Sequence, residues 1–149
     1  MREESGLDPM QRPGIVALLQ QMDENGHRRD EPVREVMGMT GDRWSSLILL
    51  VLATGVWRHA ELRRALIQIS AEGAISQRVL TLKLRALERS GFVHRHATDD
   101  VPPHVSYDLT DMGQGLVAEL RRMIGWIGSR RGKIERARAA FDAREDDRF

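Results

Sequence analysis

The chain of 149 residues contains no cysteine, and only 5% of its residues are aromatic. The absence of cysteine excludes disulfide bonds, thiolate nucleophiles and cysteine-ligated metals within this sequence. The apolar run at 48–53 is far too short to span a bilayer as a helix. The first fourteen residues are charged and interrupted by Pro and Gly, unlike a signal peptide. We therefore expect a cytoplasmic protein that makes no use of a membrane.

The sequence also lacks the arrangements that are typical of enzymes. It has no Gly-rich phosphate loop, and no Ser, His and Asp occur in a context that would support nucleophilic catalysis. Apolar residues make up 41% and charged residues 30% of the chain. These fractions are typical of a globular protein with one core, so we predict one domain with additional terminal helices. Because the motifs of enzymes are missing, we predict no enzymatic activity and no cofactor.

The net charge is only +1, but the charges are distributed unevenly. Residues 1–31 hold four basic and seven acidic side chains, whereas residues 59–98 hold seven basic and three acidic ones. A positive central segment in a nearly neutral protein is what a phosphate-binding surface would require.

The helix predicted at 76–90 has the clearest ends in the sequence. Ser76 is suited to cap its first turn, and Gly91 is suited to end it. An apolar stripe at i, i+4 and i+7 predicts its buried side, and arginines dominate the opposite side. The buried residues are Leu80, Leu84 and Leu87, and the arginines are Arg78, Arg85 and Arg89. Arginine can bond base edges and neutralise phosphates, although such a stripe is often only a solvated face.

The remaining pattern divides the chain into three parts. We predict that residues 1–31 form a loose tail and a short amphipathic helix. Residues 32–128 are predicted to form the main domain with a last long helix, and residues 129–149 a charged helical tail. The amphipathic helices at 15–22 and 116–127 have apolar stripes that either the chain's own core or a partner chain would cover.

Two strands, 92–97 and 104–109, are predicted to form a hairpin with a Pro-rich tip. His94 and His96 share one face, and His104 lies on the paired strand, so three imidazoles raise the question of a zinc site. Because no nearby carboxylate completes an obvious ligand set, we predict no metal and favour contact of this hairpin with a nucleic-acid backbone.

The order helix, helix, short strand, helix, turn, helix, hairpin, helix is that of a winged helix-turn-helix. In detail the sequence resembles the HxlR-type winged helix-turn-helix transcriptional regulators of bacteria, within the broad MarR-like class. The most specific match is Val-Pro-Pro at 101–103 followed by Tyr-Asp-Leu-Thr at 107–110. The other matching segments are 32–34, 41–45, 61–66, 75–81 and 84–88. The predicted fold class is mainly α with a small β-hairpin wing, and with N- and C-terminal dimerisation helices.

The resemblance implies a homodimer that binds a palindromic operator in double-stranded DNA, most simply as a repressor. Helix 76–90 would enter the major groove, and the wing at 92–109 would lie on the backbone or in the minor groove. The DNA contacts expected on this basis are Arg63, Arg64, Ser76, Gln77, Arg78, Thr81, Arg85, Arg95 and His104. The dimer contacts expected are Ile15, Leu18, Leu19, Met22, Leu116, Leu120, Met123, Trp126 and Ile127.

The sequence departs from the family pattern at three places. Many relatives carry a sensor cysteine where this chain has Glu31, so we expect no thiol sensing. The turn at 70–74 is longer than usual, and Leu82 replaces a residue that is often polar. Two alternatives stay open: a winged helix that binds a protein partner, and a regulator with a small-molecule effector near the dimer helices.

Overall fold

The computed structural model describes residues 8–26, 31–71 and 73–148. Two compact units divide between Asp42 and Arg43, whereas the sequence analysis places the first boundary between residues 31 and 32. Residues 1–7 of the predicted tail, and Glu72 in the lengthened turn, lie outside the described residues.

The first unit contains two helices. A 3-10 turn at Pro9–Gln11 leads into α1, Pro13–Asn25. Helix α1 is therefore longer at both ends than the helix predicted at 15–22, and part of the predicted N-terminal tail is helical. Helix α1 begins with a proline, whose fixed φ suits a first turn, and ends before Gly26 at φ 78°. Helix α2, Pro32–Thr40, likewise begins with a proline.

The second unit contains the core. Its helices are α3, Ser45–Leu52; α4, His59–Ile69; α5, Gln77–Arg89; α6, Asp111–Ser129; and α7, Arg131–Asp146. Helix α3 follows Trp44, whose side chain makes no capping hydrogen bond. Fully or almost fully buried side chains from four helices and from the loop before α5 form the core. They are Ile48, Leu49, Leu52, Leu62, Leu66, Ile75, Leu80, Leu84, Leu87 and Val117.

A small antiparallel sheet lies beside these helices. Its strands are β1, Trp57–Arg58; β2, Val93–Ala97; and β3, Val105–Leu109, in the spatial order β1-β3-β2. Tyr107 pairs with Trp57 on one side and with Arg95 on the other, and its side chain is buried. The alternation of a strand then places His94, His96 and Asp108 on the opposite face.

Capping bonds fix the two helices that flank the hairpin. The Ser76 hydroxyl accepts from the Val79 N–H over 3.1 Å, as predicted. The chain leaves α5 through Gly91, whose φ of 83° favours glycine. The Thr110 hydroxyl accepts from the Gly113 N–H over 3.0 Å and donates to the Gly91 carbonyl. One threonine therefore starts α6 and holds it against the end of α5.

The order α3, β1, α4, α5, β2 and β3 confirms the predicted winged helix-turn-helix, with the β2–β3 hairpin as the wing. Among the described residues, seven α-helices and three short strands agree with the predicted fold class. None of these helices is long and apolar enough to cross a membrane.

Candidate nucleic-acid interface

Helix α5 presents a polar, basic face to solvent. Gln77, Arg78 and Arg85 are exposed, while the leucines of the opposite stripe are fully buried. Leu82 lies among the arginines with 53% of its surface exposed. Gln77 and Arg78 occupy the first turn after Ser76, at the end of the helix that enters a groove in most helix-turn-helix proteins. The arrangement suits base-edge contacts by this first turn.

Arg63 has a structural bond that the sequence analysis did not predict. Its side chain is half-buried, and its Nε–H donates to the Ile75 carbonyl over 2.8 Å. Ile75 is buried and precedes the cap of α5, so this bond ties α4 to the start of α5. The neighbouring Arg64 is exposed on α4. Arg63 and Arg64 are both among the predicted DNA contacts. Of these two, Arg64 is exposed and suits a phosphate contact, whereas Arg63 also has a structural role.

Thr81 is also held within the protein. The Thr81 hydroxyl donates to the Gln77 carbonyl over 2.9 Å, and its oxygen lies 3.0 Å from the His59 Nε2. Desolvation by burial, with a smaller contribution from the positive charge of Arg63, lowers the pKa of His59. A neutral His59 that carries its proton on Nε2 can donate to Thr81 and complete this chain of bonds. This role of His59 was not predicted, because nothing in the local sequence distinguishes a histidine in the first turn of a helix.

A crevice between α5 and the sheet collects several predicted contacts. Arg85 and Arg95 line it together with His59, Thr81 and Tyr107. Both arginines are exposed, and Arg95 reaches the crevice because it shares its sheet face with Tyr107. Two cations from separate elements beside one groove suit contact with consecutive phosphates.

The wing ends in an exposed tip. His104 lies just before β3 and is exposed, and its N–H donates to the Thr98 hydroxyl over 2.9 Å. Thr98 in turn donates its N–H to the His104 carbonyl over 3.0 Å. These two bonds close the base of the Pro-rich tip and leave the His104 side chain in solvent.

The expectation that no carboxylate lies near the wing histidines is wrong. The Asp108 Oδ1 lies 2.8 Å from the His96 Nε2 and 3.6 Å from the His94 Nδ1. His104 is not part of this cluster, which comprises His94, His96 and Asp108. The missing information was the strand register, which places His94 opposite Asp108.

The apolar stripes of α1 and α6 are largely exposed. Ile15 and Leu116 are half-buried, and the exposed members of the predicted set are Leu18, Leu19, Met22, Met123, Trp126 and Ile127. Leu120 is different, because only 3% of its surface is exposed and it belongs to the core of the second unit. The prediction of Leu120 as a dimer contact is therefore wrong, because its side chain is already buried in its own chain.

A cleft in the first unit lies between α1 and α2. Its volume is about 440 Å³, and Leu18, Met22, Val33 and Met37 give it an apolar lining. The volume is within the range of small-molecule sites, which are commonly about 300–1,000 Å³.

The structure is a winged helix-turn-helix of the DNA-binding type. It combines three helices with a hairpin wing, and the second helix of the motif is capped and basic. Residues 39–135 match the HxlR-like helix-turn-helix family, and the chain belongs to this family of transcriptional regulators. The resemblance stated from the sequence is confirmed.

Related proteins carry the same description. The uncharacterized HTH-type transcriptional regulator YtfH of Escherichia coli is 37% identical over 113 residues, which are 75% of this chain and 85% of YtfH. YdeP of Bacillus subtilis, also an uncharacterized HTH-type transcriptional regulator, is 34% identical over 76% of this chain and 84% of its own. These relatives are described as regulators and not as enzymes.

Solved structures agree with this assignment. The ytfH protein of Salmonella typhimurium has a TM-score of 0.61 at 33% identity and covers 75% of this chain and 95% of its own. The redox regulator HypR in its reduced form has a TM-score of 0.58 at 35% identity and covers 70% of this chain and 98% of its own.

Proposed function

We propose that the protein is a sequence-specific DNA-binding repressor that acts in the cytoplasm as a homodimer on a palindromic operator. In this proposal α5 enters the major groove, and the β2–β3 hairpin lies on the backbone or in the minor groove. Gln77 and Arg78 read base edges, and Arg64, Arg85 and Arg95 contact phosphates. Ser76 and His104 add backbone contacts, while Arg63 and Thr81 hold α5 in place.

The observation that carries the proposal is the exposed face of α5. Arg78 and Gln77 have the side chains best suited to bidentate contacts with guanine and adenine, respectively. They stand on a helix whose start is fixed by the Ser76 cap and by the Arg63 bond to Ile75. A helix that contacts base edges must be held in one orientation if its contacts are to distinguish one base pair from another. The Ser76 cap and the Arg63 bond would restrict α5 in this way.

The exposed part of α6 supports the dimer. Every residue from 121 to 133 is exposed, although Met123 and Ile127 continue the stripe that Leu120 begins in the core. An apolar stripe that continues beyond the core of its own chain leaves apolar side chains in solvent, and a second copy of the chain could cover them. Two-fold symmetry would then place two α5 helices on half-sites about 34–36 Å apart, which is one turn of DNA.

Regulation by a thiol is outside the proposal. HypR is described as a redox regulator, but this sequence has no cysteine. A small-molecule effector fits better, and the apolar cleft between α1 and α2 is the described feature that suits it.

The test is a titration of the purified, untagged protein with its own promoter region and with a random duplex of equal length, at several salt concentrations. We expect the promoter to bind more tightly, with an affinity that falls steeply with salt because Lys and Arg displace counterions from phosphates. Transcription from that promoter should rise when the protein is removed. A protein-binding winged helix would instead leave both duplexes unbound at low salt.

A further inference from the structure

The solvent face of the wing carries a set of three metal-ligand side chains. His94 pairs with Asp108 across the β2–β3 ladder, and His96 lies two residues further along the same face. The ligand atoms of the three side chains all lie within 4.8 Å of one another. The sheet register therefore brings together two imidazoles and a carboxylate that the sequence separates by up to fourteen residues.

We propose that His94, His96 and Asp108 bind one divalent transition-metal ion, most simply Zn²⁺, on this face of the wing. Two imidazole nitrogens and one carboxylate oxygen form a ligand set that zinc accepts, with a fourth position left for water or another ligand. The two nitrogens favour zinc and its neighbours over Mg²⁺ and Ca²⁺, which prefer oxygen ligands.

The observed distances are close to those that a bound ion requires. With metal–ligand bonds of about 2.0–2.1 Å, the ligand atoms of a tetrahedral site lie about 3.3–3.4 Å apart. The Asp108 Oδ1 is 3.6 Å from the His94 Nδ1 and 2.8 Å from the His96 Nε2. The two imidazole rings meet edge to face at 5.6 Å between centroids. Small rotations of the side chains would therefore bring all three ligand atoms onto one ion.

The exposure of the site permits these rotations. The side chains of His94 and His96 are 57% and 54% exposed, and that of Asp108 is 31% exposed. The buried residues Tyr107 and Leu109 lie on the other face of the sheet, so these rotations would take place on the solvent side. The cation must tolerate the charge of Arg58, which lies on the same face opposite Ser106.

A bound ion would join the two strands of the wing. Ligands from both β2 and β3 would replace the hydrogen bond between His96 and Asp108 with a metal bridge across the ladder. The competing interpretation is that Asp108 only orients the His96 ring, in which case the cluster binds no metal. The proposal stands apart from DNA binding, so either can fail without the other.

The test is a competition titration of Zn²⁺ between the untagged protein and a chelating indicator dye. The variants are His94→Gln, His96→Gln and Asp108→Asn, and His104→Gln is the matched control in the same hairpin. Thermal melting of each variant without metal verifies that it is folded. A parallel titration with Mg²⁺ tests the selectivity.

We expect one equivalent of Zn²⁺ to bind to the wild-type protein and to His104→Gln. Each of the three ligand variants should bind at least about tenfold more weakly, because the loss of one of three ligands removes a metal bond. Zn²⁺ should also raise the melting temperature of the wild-type protein and not that of His96→Gln, by mass action. Equal Zn²⁺ affinity in the wild-type protein and the ligand variants would overturn the proposal, as would loss of binding in His104→Gln.

Discussion

The Nε–H of Arg63 donates to the carbonyl oxygen of Ile75 over 2.8 Å, and this bond joins α4 to the residue before the cap of α5. Twelve residues separate the two partners in the sequence. The bond crosses the turn that determines how the two helices of the motif are oriented. If α5 contacts DNA as proposed, Arg63 would influence recognition through the position of α5.

Replacement of the adjacent arginines should separate a positioning role from a phosphate contact. Arg63→Ala should lower the free energy of unfolding by about 1–2 kcal/mol, because hydrogen bonds to charged groups are worth about 1.5–3 kcal/mol and this side chain is only half-buried. Arg64→Ala should leave stability within about 0.5 kcal/mol and lower the salt dependence of DNA binding by about one phosphate contact. Urea unfolding and salt-dependent DNA titration measure the two effects. Equal stability losses in both variants would contradict these roles.

Local features of the fold were predictable, whereas contacts across elements were not. The Ser76 cap and the stripe of Leu80, Leu84 and Leu87 follow from spacing and side-chain chemistry within one segment, and the structure confirms them. Leu120 was assigned to a dimer stripe because periodicity identifies an apolar face without showing where the core ends.

The candidate site shows the same division. The exposure of Arg78 follows from its angle relative to the leucine stripe. The bond of His59 to Thr81 and the proximity of Asp108 to His96 depend on tertiary packing and strand register. No spacing rule within one segment gives either of them.

Replacement of Arg78 should lower sequence discrimination. Arg78→Ala should weaken operator binding by about 1–3 kcal/mol and relax specificity at one base pair. The control is Arg144→Ala, which removes the same charge from an exposed position on α7. Both variants are titrated against the operator and the random duplex. An equal loss on both duplexes for Arg78→Ala would remove this residue from base reading.

The stability should depend on pH through His59. Burial lowers the pKa of His59 in the folded protein, so the unfolded chain binds its proton first as the pH falls below about 6.5. The neutral ring contributes stability above that pH, and the contribution is lost as the pH falls through the lower pKa of the folded state. The groups around the ring include Arg63, Arg85, Arg95 and Glu88, which lie on the neighbouring elements.

Thermal melting between about pH 7.5 and pH 5 should show this loss in the wild-type protein and a smaller one in His59→Gln, whose amide can still donate to Thr81. His104→Gln, which changes an exposed histidine, is the control. The same pH dependence in His59→Gln as in the wild-type protein would show that another group is responsible.

Two glycines of α6 should respond to alanine with opposite signs. A Cβ on Gly113 would overlap the carbonyl oxygen of Phe92, which also accepts from the Thr110 N–H. Gly113→Ala should therefore destabilise the protein by about 1–3 kcal/mol, as overpacking against a fixed group does. A Cβ on Gly115 meets nothing within 4 Å, so Gly115→Ala should stabilise the helix by about 0.5–1 kcal/mol. Urea unfolding measures the free energy of unfolding of both variants. If Gly113→Ala leaves it unchanged, the start of α6 can shift to accommodate the added methyl group.

The dimer proposal depends on the exposed end of α6. Ile127 is 46% exposed and Met123 lies one turn before it, so a charge at 127 would lie within the proposed interface. We expect Ile127→Glu to convert the dimer to a monomer, because an unpaired carboxylate is costly to bury. Val56→Glu, which changes an exposed valine just before β1, is the control and should remain dimeric. Sedimentation equilibrium measures the mass of each variant.

The same two variants also test whether promoter preference depends on the dimer, as it should for a palindromic operator. A monomeric Ile127→Glu protein retains α5 but engages only one half-site, so its preference for the promoter over the random duplex should fall sharply. A dimeric Ile127→Glu would exclude the end of α6 from the interface. A monomeric wild-type protein with full promoter preference would overturn the symmetric arrangement altogether.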